Sequence, residues 1–249
     1  MSDISFPPPY TPLTRFHDAV RTRGFAVLSP TDVAILAGVE PGSFDALLPS
    51  WNRLEPDGYL RDGGRYRRRR HSSFIVENDA LTLQPHRAHW QPVEYNALHG
   101  GMERWFEPVE EAIRAQPVWS RLLLALASTC SALQSGAARW HVEAHQFRID
   151  TADGIGRPTP EGAHRDGVDF VAVLLVARQD IIGGETRVFD YAGPDGQRFT
   201  LDAPWSLIFM EDARVIHEST PIRPRPDVVS GHRDTLVVTF REKGFLGDD

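Results

Sequence analysis

His164-Arg165-Asp166-Gly167-Val168-Asp169-Phe170-Val171-Ala172-Val173-Leu174-Leu175-Val176-Ala177 decides how the chain is read. From Val168 onward the stretch is a near-continuous β-branched, aliphatic and aromatic run, which predicts a buried strand. Similar runs lie on both sides. Upstream, Trp140, Val142, Phe147 and Ile149 fall in one run; downstream come Thr186–Tyr191, Trp205–Met210, Arg214–Glu218 and Thr235–Arg241. Turn-forming residues separate them: Asp153-Gly154, Gly183-Gly184, Gly193-Pro194-Asp195-Gly196 and Asp202 to Pro204. Short strands with this punctuation predict a double-sheet jelly roll over 140–242.

The first half reads differently. Residues 1–12 are Pro-rich and predict an extended arm. Ser29-Pro30-Thr31-Asp32 is an N-cap cluster with Pro early in a helix that ends near Gly38 to Pro41. Residues 51–70 are polar and Arg-rich, a loop or irregular strand ending in the run Arg67-Arg68-Arg69-Arg70. Residues 103–135 predict a helix in two pieces broken at Pro117, with Val118, Leu122, Ala125, Leu126 and Leu133 on its packing face. The fold class is α+β, with N-terminal and flanking helices. One domain is expected over 1–249, divided into a helical and irregular elaboration (1–139) and the jelly-roll core (140–242).

Composition narrows the function classes. A net charge of -7 gives no support to a general nucleic-acid or anionic-membrane partner. The one cysteine, Cys130, excludes an intramolecular disulfide and a Cys-based zinc site. No apolar run reaches the length of a spanning helix, and the first ten residues lack the basic and apolar regions of a signal peptide, so a cytoplasmic location is expected.

Within the deciding stretch, His164 and Asp166 stand two residues apart. On a strand they share a face about 6–7 Å apart and can aim at one ion. His217 supplies a third donor. Two His and one carboxylate form the facial triad of a non-haem Fe(II) site, which leaves three positions for other ligands. Zinc is the rival metal and would need a general base, for which Glu161 is available, but the spacing differs from the helical His-Glu-x-x-His motif. Downstream, Arg233, Thr235, Val237, Thr239 and Arg241 share a strand face by period-2 counting. Arginine on a core face requires a paired anion, and a dicarboxylate would provide one.

Four segments carry a resemblance to a known family: Pro158 to Phe170, Gly183-Gly184-Glu185, Asp212 to His217, and Arg233 to Phe240. They resemble the bacterial 2-oxoglutarate/Fe(II) dioxygenases that include isoleucine 4-hydroxylase-type enzymes. The likeness covers roughly 140–242 and, more loosely, 58–107. It implies a double-stranded β-helix core with Fe(II) on His164, Asp166 and His217. It also implies 2-oxoglutarate as co-substrate, its distal carboxylate on Arg233, and O₂ as oxidant; Thr235 and Arg241, on the same strand face as Arg233, are the other co-substrate candidates, although Arg241 matches no position of the family's pattern. Activity would be hydroxylation of a small molecule, most readily a free aliphatic amino acid, with release of succinate and CO₂. For such a substrate, Arg148 and Arg241 are carboxylate candidates, and Glu161 and Asp169 ammonium candidates. Gln146 and Arg148 are expected to face the pocket, with His145 and Phe147 turned away; Tyr95 and Asn96 are further candidates.

Two other readings stand beside this one. The basic residues Arg65 and Arg67 to Arg70 around Tyr66 allow a nucleic-acid or protein demethylase of the same chemistry. A jelly roll can also serve as a binding module without catalysis, which loss of a triad residue would favour; all three are present.

Overall fold

The computed structural model describes residues 6–248. Residues 1–5 of the expected arm lie outside them; the rest runs beside the sheet, with Thr11 N donating to Val27 O at 2.7 Å. Among the described residues the α-helices are α1 (Phe16–Arg23), α2 (Pro30–Ala37), α3 (Glu111–Arg114) and α4 (Pro117–Leu133), with 3-10 turns at Leu13–Arg15 and Pro41–Arg53. The strands are β1 (Phe25–Leu28), β2 (Glu55–Pro56), β3 (Arg67–Glu77), β4 (Ala80–Leu83), β5 (Arg139–Asp150), β6 (Phe170–Gln179), β7 (Ile181–Gly183), β8 (Thr186–Asp190), β9 (Gly196–Phe199), β10 (Leu207–Glu211), β11 (Val215–Ser219), β12 (Ile222–Pro224) and β13 (His232–Arg241).

A large sheet runs β1-β10-β6-β13-β5-β3-β2, with β4 on the far part of β3; β11-β8-β9 and β12-β7 form two smaller sheets. The pairs in each are antiparallel. Alternation assigns the faces of the large sheet. Val142, Ala144, Ala172, Leu174, Leu236, Val238 and Phe240 point to one side and pack with Trp119, Leu122 and Leu126 of α4. On the other side Val171, Leu175, Ile208 and Met210 pack with Val188, Phe199 and Val215 of the smaller sheets. Helices outside and two opposed sheets inside make the α+β jelly roll expected from the strand pattern.

Helix boundaries follow local chemistry. Ser29 Oγ accepts from Asp32 N at the start of α2, and Gly38 ends it at φ 63°. Pro117 starts α4 rather than breaking a longer helix: it stands in the first turn, where its missing N–H costs nothing. Residues 103–110 are not helical as expected, because Arg104 is drawn into a bridge with His89 and Pro108 disfavours helical geometry in the residue before it. A further expectation is corrected. The large sheet is not confined to 140–242, since β1 and β3 come from the first half and β3 pairs with β5 along its whole length. Of the two readings of 51–70, loop or irregular strand, Arg67 to Arg70 take the strand. No helix among the described residues is long and apolar enough to cross a membrane.

Candidate active site

Backbone pairing brings the triad together. His164 lies in a short extended stretch rather than a long strand, but it bridges β11 antiparallel: His164 N donates to His217 O at 3.0 Å and His217 N to His164 O at 2.9 Å. The two rings lie 4.6 Å apart between centroids. Asp166 closes the group, with Oδ1 3.8 Å from His164 Nε2 and Oδ2 3.7 Å from His217 Nε2. One donor atom from each residue falls within 4.8 Å of the others. An ion with ligands at about 2.1 Å sets neighbouring donors about 3 Å apart, so these side chains need close by no more than about 2 Å.

The donors are prepared chemically. His164 Nδ1 donates to Gly162 O at 2.9 Å, which fixes the tautomer and leaves Nε2 as the free lone pair. Burial, then the charge of His164, hold His217 well below the usual imidazole range, in the neutral form a ligand needs. For His164 burial acts downward, but Asp166 and Glu161 outweigh it and the direction is upward. Asp166 is held from two sides. Gln91 Nε2 donates to its Oδ1 at 3.3 Å. The buried Asp212 carboxylate accepts from the backbone N–H groups of Asp166 (2.9 Å), Gly167 (2.8 Å) and Val168 (3.2 Å). Burial and the nearby Asp166 charge push Asp212 up to about 7. Gly167 sits at φ +80°, and a Cβ there would meet the Tyr95 ring at 2.5 Å, so the turn after Asp166 requires glycine.

The triad opens into a cavity of about 130 Å³ between the large sheet and the smaller ones. Its floor is a grid of cross-strand rows. Arg233 of β13, Ile149 of β5 and Arg67 of β3 stand in one row; Thr235, Phe147 and Arg69 in the next. Arg233 is 4 % exposed, and no carboxylate among the described residues lies within salt-bridge distance of it. Its Nε has no hydrogen-bond partner. Burial and neighbouring Arg178 push its pKa down to about 10. A buried guanidinium in this state calls for an anion. Gly184, at φ +71°, lies beside it; a Cβ there would stand 3.6 Å from Arg233 Cδ.

Other expected residues fall in different places. Thr235 and Glu161 line the cavity, and Glu161 Oε1 lies 3.5 Å from His164 Nε2. Asn96 lines it as well; Tyr95 packs on Gly167. Gln146 and Arg148 share a face as expected, but the opposite one: Gln146 donates to Ser50 Oγ at 2.6 Å, and Arg148 forks onto Asp234 at 2.8 and 2.6 Å. His145 and Phe147 face the cavity instead. The reason is that β5 is covered on both sides, so polarity does not mark its inward face. Arg241 donates to Gly244 O and Phe245 O, away from the co-substrate end. Asp169 Oδ2 accepts from Glu242 N at 2.7 Å and ties β6 to the end of β13.

Several cavity residues were not singled out from the sequence. Arg67 and Arg69 turn inward while Arg68 and Arg70 do not, the parity of a strand; the apolar run Phe74-Ile75-Val76 that follows was the available signal. Gln91 and Arg104 lie in the loosely similar stretch 58–107 and Asp212 opens one of the four similar segments, but nothing local to them assigned a role. A second buried group of potential ligands comprises His71, His89, Glu143 and His145. Four of its atoms are already engaged with one another or with Arg69, while His71 Nδ1 has no partner. Glu143 Oε1 lies 2.8 Å from His71 Nε2 and 3.2 Å from His89 Nδ1. Arginine can only donate, so His145 Nδ1 accepts from Arg69 Nη2 at 2.7 Å.

Comparison with known proteins agrees with this geometry. Residues 48–239 match the family described as 2OG-Fe dioxygenase. The crystal structure of a bsmA homologue from Methylobium petroleophilum PM1 is 50% identical, covers 100% of this chain and 99% of its own, and superposes with a TM-score of 0.91. Two structures at 18% identity share the fold. IDO from Bacillus thuringiensis has a TM-score of 0.73 over 93% of this chain and 96% of its own. The Fe(II)/α-ketoglutarate-dependent dioxygenase TqaL has a TM-score of 0.72 over 95% and 88%. No curated protein matches. With its family matched over most of its length and a His-Asp-His cluster facing a cavity, the chain belongs to the 2OG-Fe dioxygenases, enzymes that use Fe(II), 2-oxoglutarate and O₂.

Proposed function

We propose that this chain hydroxylates a C–H bond of a free L-amino acid, with His164, Asp166 and His217 holding the iron and Arg233 with Thr235 holding the distal carboxylate of 2-oxoglutarate. The observation that carries this reading is the convergence of three donors on a cavity whose floor holds a buried Arg233 without an ion-pair partner. Iron, when bound, would let O₂ act as the oxidant, with 2-oxoglutarate giving up two electrons and leaving as succinate and CO₂, one oxygen atom going to succinate and the other to the product.

The chain's own residues bind, orient and exclude water. Arg233 offers parallel N–H groups that fix a carboxylate in direction as well as charge. Val173, Val237 and Phe147 line the walls and keep water from the reacting centre. Gln91 and Asp212 hold Asp166 in place. Glu161, beside His164, is placed to accept a substrate ammonium group. No residue has to act as acid or base.

A cavity of about 130 Å³ favours a small molecule over a macromolecule. The likeness to isoleucine 4-hydroxylase-type enzymes supports an aliphatic amino acid. The demethylase reading loses its basic patch, because Arg67 and Arg69 are buried, with Asp57 2.7 Å and 4.0 Å away. A screen of free L-amino acids with Fe(II), 2-oxoglutarate and O₂, following succinate and products heavier by one oxygen atom, tests the proposal. Coupled hydroxylation of at least one amino acid is expected. Succinate formation that no amino acid stimulates would contradict it.

A further inference from the structure

Arg67 and Arg233 occupy the same cross-strand row on either side of Ile149. Neighbouring strands are about 4.8 Å apart, so their backbones are separated by about 10 Å. The cavity floor therefore has two cationic ends. Arg233 forms one. At the other, Arg67, Arg69 and Arg104 come together, all buried: 6 %, 3 % and 2 % exposed.

These three guanidinium groups outnumber their anions. Asp57 serves two of them, through Arg67 Nε at 2.7 Å and Arg69 Nη1 at 4.0 Å. Arg104 Nη2 donates to the neutral Gln91 Oε1 at 2.9 Å, and no carboxylate among the described residues lies within salt-bridge distance of it. Glu143 is already shared by two imidazoles. Three buried N–H donors are left without a partner: Arg67 Nη2, Arg69 Nε and Arg104 Nε. Unpaired buried donors of this kind are costly, more so when charged. Burial and the Arg67 charge push the pKa of Arg104 down to about 10, as expected where positive charge is crowded.

Mobility does not relieve the crowding. The Arg69 guanidinium is clamped between Phe106 and Phe147, 3.9 Å and 4.3 Å from their ring centroids. Arg104 is anchored by its backbone bridge to His89. An arriving anion would find donors that are already oriented, which lowers the ordering cost of binding.

We propose that Arg67 and Arg104, with Arg69 behind them, form a carboxylate subsite for the organic substrate, distinct from the Arg233 end that takes the co-substrate. This rests on the reading of the cavity as an oxygenase site and replaces Arg148 and Arg241 as carboxylate partners. Arg104 also reaches the metal ligands through a relay: its Nη2 donates to Gln91 Oε1, and Gln91 Nε2 donates to Asp166 Oδ1. The subsite and the reacting centre are thus joined by hydrogen bonds, and Glu161, 3.5 Å from His164 Nε2 and near enough for its charge to act on Arg104, would accept the ammonium of a zwitterion.

Anaerobic calorimetric titration tests this on protein loaded with Fe(II) and saturated with 2-oxoglutarate. The probes are the proteinogenic L-amino acids, their N-acetyl derivatives and the carboxamides of both sets. At least one carboxylate is expected to bind, and its carboxamide to bind about tenfold to a hundredfold more weakly. Arg104→Gln and Arg67→Gln should each reduce carboxylate affinity by a similar factor and erase the preference over the carboxamide, while affinity for 2-oxoglutarate is retained. Two variants are used because Arg67→Gln weakens the pairing of Asp57; Arg104→Gln breaks no ion pair. Binding of N-acetyl acids but not free amino acids would overturn the amino-acid reading and keep the subsite. Equal affinity for acid and carboxamide, unchanged affinity in folded Arg104→Gln, or no binding by any carboxylate would overturn the subsite.

Discussion

Asp212 shows how much of this site depends on single residues that touch neither substrate nor metal. Its carboxylate collects the three consecutive N–H groups of Asp166, Gly167 and Val168, and so sets the direction in which the Asp166 side chain leaves the backbone. Partners of this kind affect metal affinity because a misdirected ligand costs binding free energy. Asp212→Ala should lower Fe(II) affinity by about tenfold to a hundredfold, read by titration of the apoprotein, without loss of secondary structure. Fe(II) affinity unchanged in a folded variant would remove the role. The triad itself was legible in the sequence, because ligand chemistry restricts residue type and the His-x-Asp step restricts position. Asp212 and Gln91 were not, because their partners are chosen by tertiary proximity and any polar residue in a turn looks alike.

Strands carry a different lesson. The alternation of β13 put Arg233, Thr235, Val237 and Thr239 on one face, and the cavity is lined by all four. Counting along β5 was equally sound, yet its inward side was misassigned. Gln146 is fully buried on the helical side, while Glu143, His145 and Phe147 face the cavity. Period-2 arithmetic gives which residues share a face; which face looks inward depends on what the neighbouring strand brings. Here β3 brings Arg69 and His71 opposite Phe147 and His145.

This polar wall has a thermodynamic consequence. Burial pushes His89 down to about 4, and lowers His71 and His145 as well. A ring that stays neutral when folded but accepts a proton when unfolded contributes stability that is full above the unfolded pKa. That contribution is lost as pH falls from there toward the folded pKa. Asp212, raised when folded, works in the opposite sense, so the useful quantity is a difference. The stability advantage of wild type over His89→Gln should shrink by about 2 kcal/mol between about pH 7 and about pH 5 in urea unfolding. A difference independent of pH would show that His89 is not held neutral.

At the scale of the whole molecule, the large sheet is a two-sided partition. Its outer face is sealed by α4, and its inner face supplies a floor with arginine at both ends, roofed by the short sheets that carry His217. The strand-rich second half and its jelly roll were legible because turn residues punctuate it so regularly. The contribution of β1 and β3 was not, since β3 begins at an arginine run that reads as loop or irregular strand, and its regularity comes from β5 on one edge and β2 and β4 on the other. The central claim is that His164, Asp166 and His217 hold iron facing a co-substrate anchored by Arg233. Anaerobic addition of Fe(II) and then 2-oxoglutarate tests it most directly, through the weak visible charge-transfer band that arises when the co-substrate chelates the metal. The band is expected in wild type and absent in Asp166→Ala, and in Arg233→Ala it should require much more 2-oxoglutarate. Its appearance in Asp166→Ala at wild-type intensity, or its absence from wild type, would contradict the account.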